Sequence, residues 1–464
     1  MPSFDPQHVA DWTGGSWLDE PKVAIEGFCF DARQIKPGQC FVALSLGARD
    51  GHEFLEQAAK GGAVAAIVET SKSITLPQLK VADSLVALGA IGAAVRSIFS
   101  KPVVGITGSC GKTSTKEMLR CLLGEDRTHA TAGNWNNRIG VPMTLFGLDS
   151  SSHDFAVIEA GINQPDEMGH LGKMIQADLI ILTNIEAAHL ELLGSLEGIA
   201  TEKSLLAESA KPDSPIILPA DALCYHAYKN LAHRAVVLLP ESAAAPDLPC
   251  KQIVRYKISE QMEDRGATLS PQVFRQVTID GRNYPIASPS LGMATNSALA
   301  IVAAKYLGIV ESEIRERIEA WRPTGNRGCI QTFGEQTFYI DCYNANPSSM
   351  ADALDAFDRS TPQGIPRFYI LGAMDELGTT APGQHEAIGR LLKLRPEDRA
   401  AFVGSKELTE AYASEISAEQ YIRTESVEKI KSTIAQFQGA IFLKGSRYYS
   451  LEKLLPSANL NPNP

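Results

Sequence analysis

Residues 105–113, Gly-Ile-Thr-Gly-Ser-Cys-Gly-Lys-Thr, set three glycines, a lysine and a hydroxyl residue in a spacing suited to holding phosphate. Glycines let the backbone curl close to anionic oxygens, and successive N–H groups at the start of a helix face those oxygens with positive potential. On this reading Gly108, Ser109, Cys110 and Gly111 wrap the phosphates, Lys112 reaches the β- and γ-oxygens, Thr113 offers a hydroxyl to Mg2+ and Ser114 continues the loop. The pattern departs from G-x-x-x-x-G-K-S/T, because Ile106 stands where the first glycine belongs and Gly105 lies one step earlier. A plain glycine-rich turn with a solvated lysine is the competing reading. The β-branched run before the turn, and Thr115, Met118, Leu119 and Leu122 on one helical face after it, favour a nucleotide, and ATP is the expected ligand.

A phosphate loop needs a carboxylate at the end of a neighbouring strand to help hold its metal. Phe155-Ala-Val-Ile-Glu159-Ala-Gly161 supplies one, 47 residues beyond Lys112. A surface glutamate at a strand end is the alternative, but an acid flanked by apolar residues and glycine is costly unless it is paired or metal-bound. His189 and Lys203, fourteen residues apart, follow a third apolar run. Taken alone, His189 is more often a capping or packing histidine and Lys203 a solvated helix lysine, and spacing alone does not settle their roles.

These residues sit between short apolar runs and helix-spaced segments. Strands are expected at 103–107, 155–159, 179–183 and 215–218 with helices between them, the pattern of βαβ units in a largely parallel sheet. Ahead of them, apolar runs at 23–25 and 40–44, a helix-like 54–60, a strand-like 63–68 and a helix-spaced 85–99 form an α/β unit of their own. Trp321-Arg-Pro-Thr-Gly-Asn-Arg327 is a joint, and strands at 337–340, 368–371, 401–403 and 441–443 beyond it predict another open parallel sheet. The expected domains are 1–99, 100–322 and 323–464, in keeping with 464 residues at about 150 per domain. Residues 225–290 read only as sheet and loop, and the Asn/Pro-rich tail after Pro456 reads as frayed.

Forty-three Lys and Arg against 54 Asp and Glu leave a formal charge of −11, so no cationic field draws nucleic acid or an anionic membrane, and phosphate must be gripped locally. The longest apolar run, 86–95, falls short of the roughly 20 residues that cross a bilayer, and the first dozen residues show no basic-then-apolar leader. A cytoplasmic monomer with neither a nucleic-acid nor a membrane partner is expected. The eight cysteines lack CxxC pairs, which indicates reduced thiols rather than a zinc site or a disulfide framework.

Read in order, Thr107-Gly-Ser-Cys-Gly-Lys-Thr113, Gly133-Asn-Trp-Asn-Asn137 with Ile139-Gly-Val-Pro142, Thr183-Asn-Ile185 with Ala188-His-Leu-Glu191, Asp341-Cys-Tyr-Asn-Ala-Asn-Pro347 and Lys444-Gly-Ser-Arg447 resemble segments of the Mur ligases of peptidoglycan synthesis. The resemblance spans nearly the whole chain except about 205–290. It is nearest to the branch that joins D-alanyl-D-alanine to UDP-N-acetylmuramoyl-tripeptide. It implies three α/β domains: one gripping the UDP-sugar peptide, a central P-loop-type ATPase domain with a mainly parallel sheet, and a Rossmann-like C-terminal domain that closes over ATP and binds the incoming dipeptide. The implied reaction is ATP-dependent amide formation through an acyl phosphate, in cell-wall synthesis and thus in cell shape and division.

Residue by residue, the resemblance implies that Lys112 and Thr113 bind ATP and Mg2+, Glu159 the same Mg2+, and His189 a second one. Lys203 matches the family lysine that takes up CO2 as a carbamate, exchanging a cation for an anionic oxygen ligand. Arg327 matches the arginine that meets the γ-phosphate, and Asp341 and Asn346 match positions near the nucleotide. Asn136 and Asn137 carry amides suited to orienting substrate or amine, although Asn-rich loops are often only turns. Lys444 and Arg447 would hold the dipeptide carboxylate, and Arg33, Asp50 and His52 would contact the uridine nucleotide. Without the resemblance Arg327 is a linker charge, 444–447 a simple turn, and the segments around Arg33 and 47–54 hairpin loops.

The chain departs from the family pattern in places. Glu186-Ala187 stands where Gly-Pro is usual, Arg138 where an acid follows the paired asparagines, and Gly292-Met-Ala-Thr-Asn296 where a Gly-x-His-Asn pattern belongs. The segment 371–378 keeps Glu376 and Gly378 but has Ala373 and Asp375, with His385 following. The rivals are the ligase that adds the third residue, a folylpolyglutamate synthase and a non-ligating P-loop ATP module. The first usually carries Asp-Asn-Pro-Arg in its last domain, which this chain lacks, and no guanine motif marks a GTPase.

Overall fold

Cys40-Phe-Val42 and Ala65-Ala-Ile-Val68 are uncharged and rich in residues that suit a pleated, buried surface, and both are fully buried strands. They lie inside a sheet of β1 (Ser16–Trp17), β2 (Phe28–Cys29), β3 (Cys40–Val42), β4 (Ala65–Val68) and β5 (Gln78–Lys80), in the order β1-β5-β4-β3-β2. Only the β1–β5 pairing is antiparallel. Phe41, Ala43, Ala66 and Val68 pack one face of it against Leu55, Ala58 and Leu76. Helix α1 (Ser84–Ile98) follows, capped by the Asp83 carboxylate on the Val86 amide.

The computed structural model describes residues 3–47, 49–162, 164–187, 190–263 and 272–456. They divide into two units, the first taking Met1–Thr107, Leu123–Ile181 and Glu202–Ile216, the second Gly108–Leu122, Leu182–Thr201 and Ile217–Pro464. In the first unit β6 (Val103–Thr107), β7 (Thr128–Ala130), β8 (Phe155–Glu159) and β9 (Leu179–Leu182) lie in the order β9-β6-β8-β7. β8 runs parallel to both of its neighbours. Every residue of β6 and β8 is buried, which explains their continuous apolar runs. Arg96 ties α1 down through Asp178 at 2.8 Å and the Ile175 carbonyl at 2.9 Å.

In the second unit helix α2 (Lys112–Leu123) follows the glycine turn, and α3 (Leu196–Glu208) ends in the first unit. The strand expected at 215–218 is present as Ile216–Pro219, and the stretch that read only as sheet and loop holds four strands among the described residues. β10 (Ile216–Pro219), β11 (Ala235–Pro240), β12 (Gln252–Glu263), β13 (Gln272–Ile279) and β14 (Arg282–Ile286) lie in the order β14-β13-β12-β11-β10. β11 and β12 pair in parallel and the last three form an antiparallel meander.

After helix α4 (Leu291–Tyr306) come β15 (Cys329–Phe333), β16 (Gln336–Asp341), helix α5 (Pro347–Ser360), β17 (Arg367–Gly372), β18 (Arg399–Val403), β19 (Tyr421–Thr424) and β20 (Gly439–Lys444). Their order is β15-β16-β20-β17-β18-β19. All pair in parallel except β15 with β16. Phe338, Ile340, Phe368, Ile370, Ile441 and Leu443 fill one face, and Tyr339, Tyr369, Leu371 and Phe442 the other. This is the period-2 pattern of a sheet covered on both sides. β15 was not expected from sequence, since its middle residues are exposed, as suits an edge strand.

Among the described residues no cysteine forms a disulfide, and Cys40 and Cys342 are buried. Among the described residues no helix is long and apolar enough to cross a membrane. The tail after Pro456 lies outside the described residues.

Candidate functional site

β6 ends at Thr107 and α2 begins at Lys112, so the chain reverses within four residues. Gly108 at φ +148° and Gly111 at φ +78° make that possible. A Cβ on Gly108 would lie 1.8 Å from the Thr183 hydroxyl oxygen, and one on Gly111 2.5 Å from the Asn296 amide. The turn is braced by the segment after β9. Ser109 donates its amide to the Asn184 carbonyl at 3.1 Å, Cys110 donates its amide to Asn184 Oδ1 at 2.9 Å, and Thr183 donates its hydroxyl to the Cys110 carbonyl. The Ser109 hydroxyl donates to the Glu186 carbonyl, and the Glu186 amide reaches the Ser109 oxygen, both at 2.9 Å.

Lys112 lays its ammonium across this turn, 2.8 Å from the Gly108 carbonyl. Left-handed glycines, the start of a helix and a lysine over the turn fit a magnesium-bound polyphosphate. Thr113 and Ser114 open the first turn of α2. Cys110 is no reactive thiol: burial and the adjacent Glu186 push its pKa up to about 11. Glu186 is itself held above the usual carboxylate range, chiefly by burial, and one of its oxygens has no hydrogen-bond partner.

In the first unit Glu159 ends β8 at 1% exposure. It accepts from the Asn136 amide at 2.7 Å, while its own backbone N–H donates to the Thr131 hydroxyl at 2.9 Å. A carboxylate this deeply buried needs a cation or a set of donors, and a metal fits. The Asn137 side chain accepts from the amides of Ile139 and Gly140 at 3.1 and 2.9 Å, an Asx-type turn ahead of the helix Gly140–Leu145. Lys203 lies on α3 with 1% exposure. His189 lies outside the described residues.

In the second unit Asp341 and Lys444 end adjacent strands in register. Lys444, 1% exposed, is bonded to Asp341 at 2.6 Å and to the Asn344 carbonyl at 3.2 Å. The exposed cation of that motif is Arg447, which pairs with Glu452 at 3.1 Å. Asn346 caps α5 through the Ser349 amide at 2.8 Å, and its side-chain amide nitrogen lies 3.6 Å from Cys110 Sγ of the phosphate turn. Arg327 stacks its guanidinium 3.8 Å from the centre of the Tyr343 ring.

Of the N-terminal residues, Arg33 is an exposed side chain 2.7 Å from Asp31, and this pairing holds the Asp31 pKa down at about 2. Asp50 ends the second strand of a two-strand hairpin, 45–46 with 49–50, and bonds His52 Nδ1 at 2.6 Å. The other His52 nitrogen accepts the amide of Glu69 at 2.9 Å, so the ring braces the loop that carries Asp50.

Thr183, Asn184 and Asn296 were not singled out from sequence as parts of the site. The first two stood only as motif letters, and Asn296 only as a departure from a pattern; their approach to the turn is tertiary and no spacing along the chain announces it.

Two family models match: "Mur ligase middle domain" over residues 106–304 and "Mur ligase, glutamate ligase domain" over 329–447. The UDP-N-acetylmuramoyl-tripeptide--D-alanyl-D-alanine ligase of Escherichia coli K12 is 31% identical over 450 residues, which cover 96% of each chain. The crystal structure of MurF from Acinetobacter baumannii superposes with a TM-score of 0.83 at 28% identity, covering 98% of both chains. The fold is shared by MurF ligase from Thermotoga maritima, solved in complex with ADP, at TM-score 0.77 and 23% identity over 92% of this chain and 95% of that one.

Proposed function

The chain belongs to the Mur ligase family, and on that footing we propose that it joins D-alanyl-D-alanine to UDP-N-acetylmuramoyl-tripeptide in an ATP-dependent reaction through an acyl phosphate. The observation that carries this reading is the phosphate turn, with Gly108 and Gly111 packed against Thr183 and Asn296 and the loop bonded to Asn184.

Bound MgATP supplies a transferable γ-phosphoryl group. Around it Gly108 to Ser114 cradle the phosphates, and Lys112 offsets charge on the β- and γ-oxygens. Arg327 adds a second cation at the γ-phosphate, where charge accumulates during transfer. Thr113 and Glu159 are the magnesium ligands, with His189 and Lys203 assigned to a second ion. Lys203 serves as a carbamate formed with CO2, which turns a buried amine into an oxygen donor. Asp341 and Asn346 stand at the nucleotide.

The tripeptide carboxylate attacks the γ-phosphorus, forming the acyl phosphate and releasing ADP, and the dipeptide amine then attacks the activated carbonyl, loses a proton and displaces phosphate. Arg447 receives the dipeptide carboxylate, while Lys444 acts from beneath through Asp341 and Asn344. Asn136 orients Glu159 and Asn137 shapes the loop beside it. Arg33 serves the uridine nucleotide together with Asp50, whose loop His52 braces. Water must be kept from the acyl phosphate, which it would hydrolyse. The accompanying domain boundaries are 1–99, 100–322 and 323–464, in a cytoplasmic monomer.

The test is phosphate release from the purified protein with each substrate omitted in turn. Release that requires both UDP-N-acetylmuramoyl-tripeptide and D-alanyl-D-alanine, with the pentapeptide seen by mass spectrometry, is the expected result. ATP hydrolysis indifferent to both refutes the ligase reading.

A further inference from the structure

Tyr343 lies between two arginines. Its ring centre is 3.8 Å from the Arg327 guanidinium carbon and 5.6 Å from that of Arg447. Arg327 comes from a joint in which Gly325, Asn326 and Gly328 all have positive φ, at 65°, 59° and 73°. No helix or strand ladder there fixes so long a side chain. Arg447 opens a single turn after β20, and its side chain is 58% exposed. An aromatic face attracts a cation and gives a planar guanidinium a surface to stack on, so one ring restricts both side chains.

The ring is placed by an ion pair whose lysine is buried. Lys444 grips Asp341 at 2.6 Å and the Asn344 carbonyl at 3.2 Å, which fixes the chain on either side of Tyr343. The next residue beyond that loop to touch the phosphate turn is Asn346.

We propose that Tyr343 is a positioning residue whose ring holds Arg327 and Arg447 on one platform, and so sets the affinity for ATP and for D-alanyl-D-alanine together. This rests on the roles given above to the two arginines. Side chains ordered before the ligand arrives lose less freedom on binding, so the ring acts through KM rather than through the chemical step.

Tyr343→Phe keeps the ring, while Tyr343→Leu and Tyr343→Met remove it and keep apolar bulk. In the full-length enzyme KM is measured for ATP, dipeptide and UDP-tripeptide, each with the other two saturating. The Phe variant should stay near the parent. The Leu and Met variants should raise KM for ATP and for the dipeptide about twofold to fivefold each, the loss of one exposed cation–π contact, with KM for the UDP-tripeptide unchanged. The proposal falls if both KM values stay put, if all three move together, if Phe is as damaged as Leu, or if neither non-aromatic variant folds.

Arg327→Ala and Arg447→Ala, alone and combined with Tyr343→Leu, keep the two readings apart. An arginine whose removal leaves its own KM unchanged loses its proposed role. If both arginines matter and Tyr343→Leu is silent, only the platform fails. Losses that overlap rather than add in the double variants support it.

Discussion

Asn136 donates its side-chain amide to the Glu159 carboxylate at 2.7 Å, and its carbonyl accepts the Gly161 amide at 2.9 Å. Two segments 23 residues apart thus form one support for a buried acid. The space is tight, since a Cβ on Gly161 would lie 2.9 Å from the Asn136 carboxamide.

If Glu159 binds magnesium, loosening it should weaken the metal first. Asn136→Ala is expected to raise the Mg2+ concentration for half-maximal activity by about tenfold to a hundredfold, the usual loss when a ligand's supporting hydrogen bond is removed. A magnesium titration checks this, and an unchanged requirement contradicts it.

Gly111→Ala should weaken nucleotide binding on two counts. The alanine must take φ near +78°, and its Cβ meets the Asn296 amide at 2.5 Å. Calorimetry with ADP should show an affinity at least about tenfold weaker, near the cost of a strained left-handed residue. Adding Asn296→Ala relieves the contact and leaves the strain, so recovery should be partial.

Lys203→Ala should abolish ligation, and excess bicarbonate should not restore it, because no amine remains to be carboxylated. Near-normal turnover of the variant removes the carbamate from the account.

Much of this was legible in the sequence because it is local. Phe155–Glu159 is a strand with the bounds its apolar run predicts, and the glycine turn stands between β6 and α2 as the motif requires. What escaped is tertiary or amphipathic in a misleading way. Asn296 reaches Gly111 from α4, far along the chain, and β15 hid because Gln331 and Thr332 face solvent at a sheet edge. The strands between 235 and 286 were blurred because 235–239 is buried throughout while 252–260 is mostly exposed, so no single period runs through them. Lys444 read as a cation after an apolar strand, suited to a carboxylate, and its burial against Asp341 depends on strands β16 and β20 pairing across 103 residues of sequence.

Glu186 gives a prediction in pH. Burial raises its carboxyl above the ordinary value, with Asp221 and Asp352 adding to the rise and Ser348 and Cys110 opposing it. A folded-state pKa above the unfolded one favours folding at low pH, and that contribution is lost as pH rises from the ordinary carboxylate value through the raised one. Glu186→Gln should therefore melt higher than the parent at pH 7.5, with the difference shrinking toward pH 5. A difference independent of pH in thermal melts across that range contradicts it.

The central claim is that a carboxylate takes the γ-phosphoryl group. UDP-N-acetylmuramoyl-tripeptide labelled with oxygen-18 in its reacting carboxylate, turned over with ATP and D-alanyl-D-alanine, tests it directly. Transfer of one labelled oxygen into the released phosphate at each turnover is predicted; unlabelled phosphate formed alongside the ligated product would contradict it.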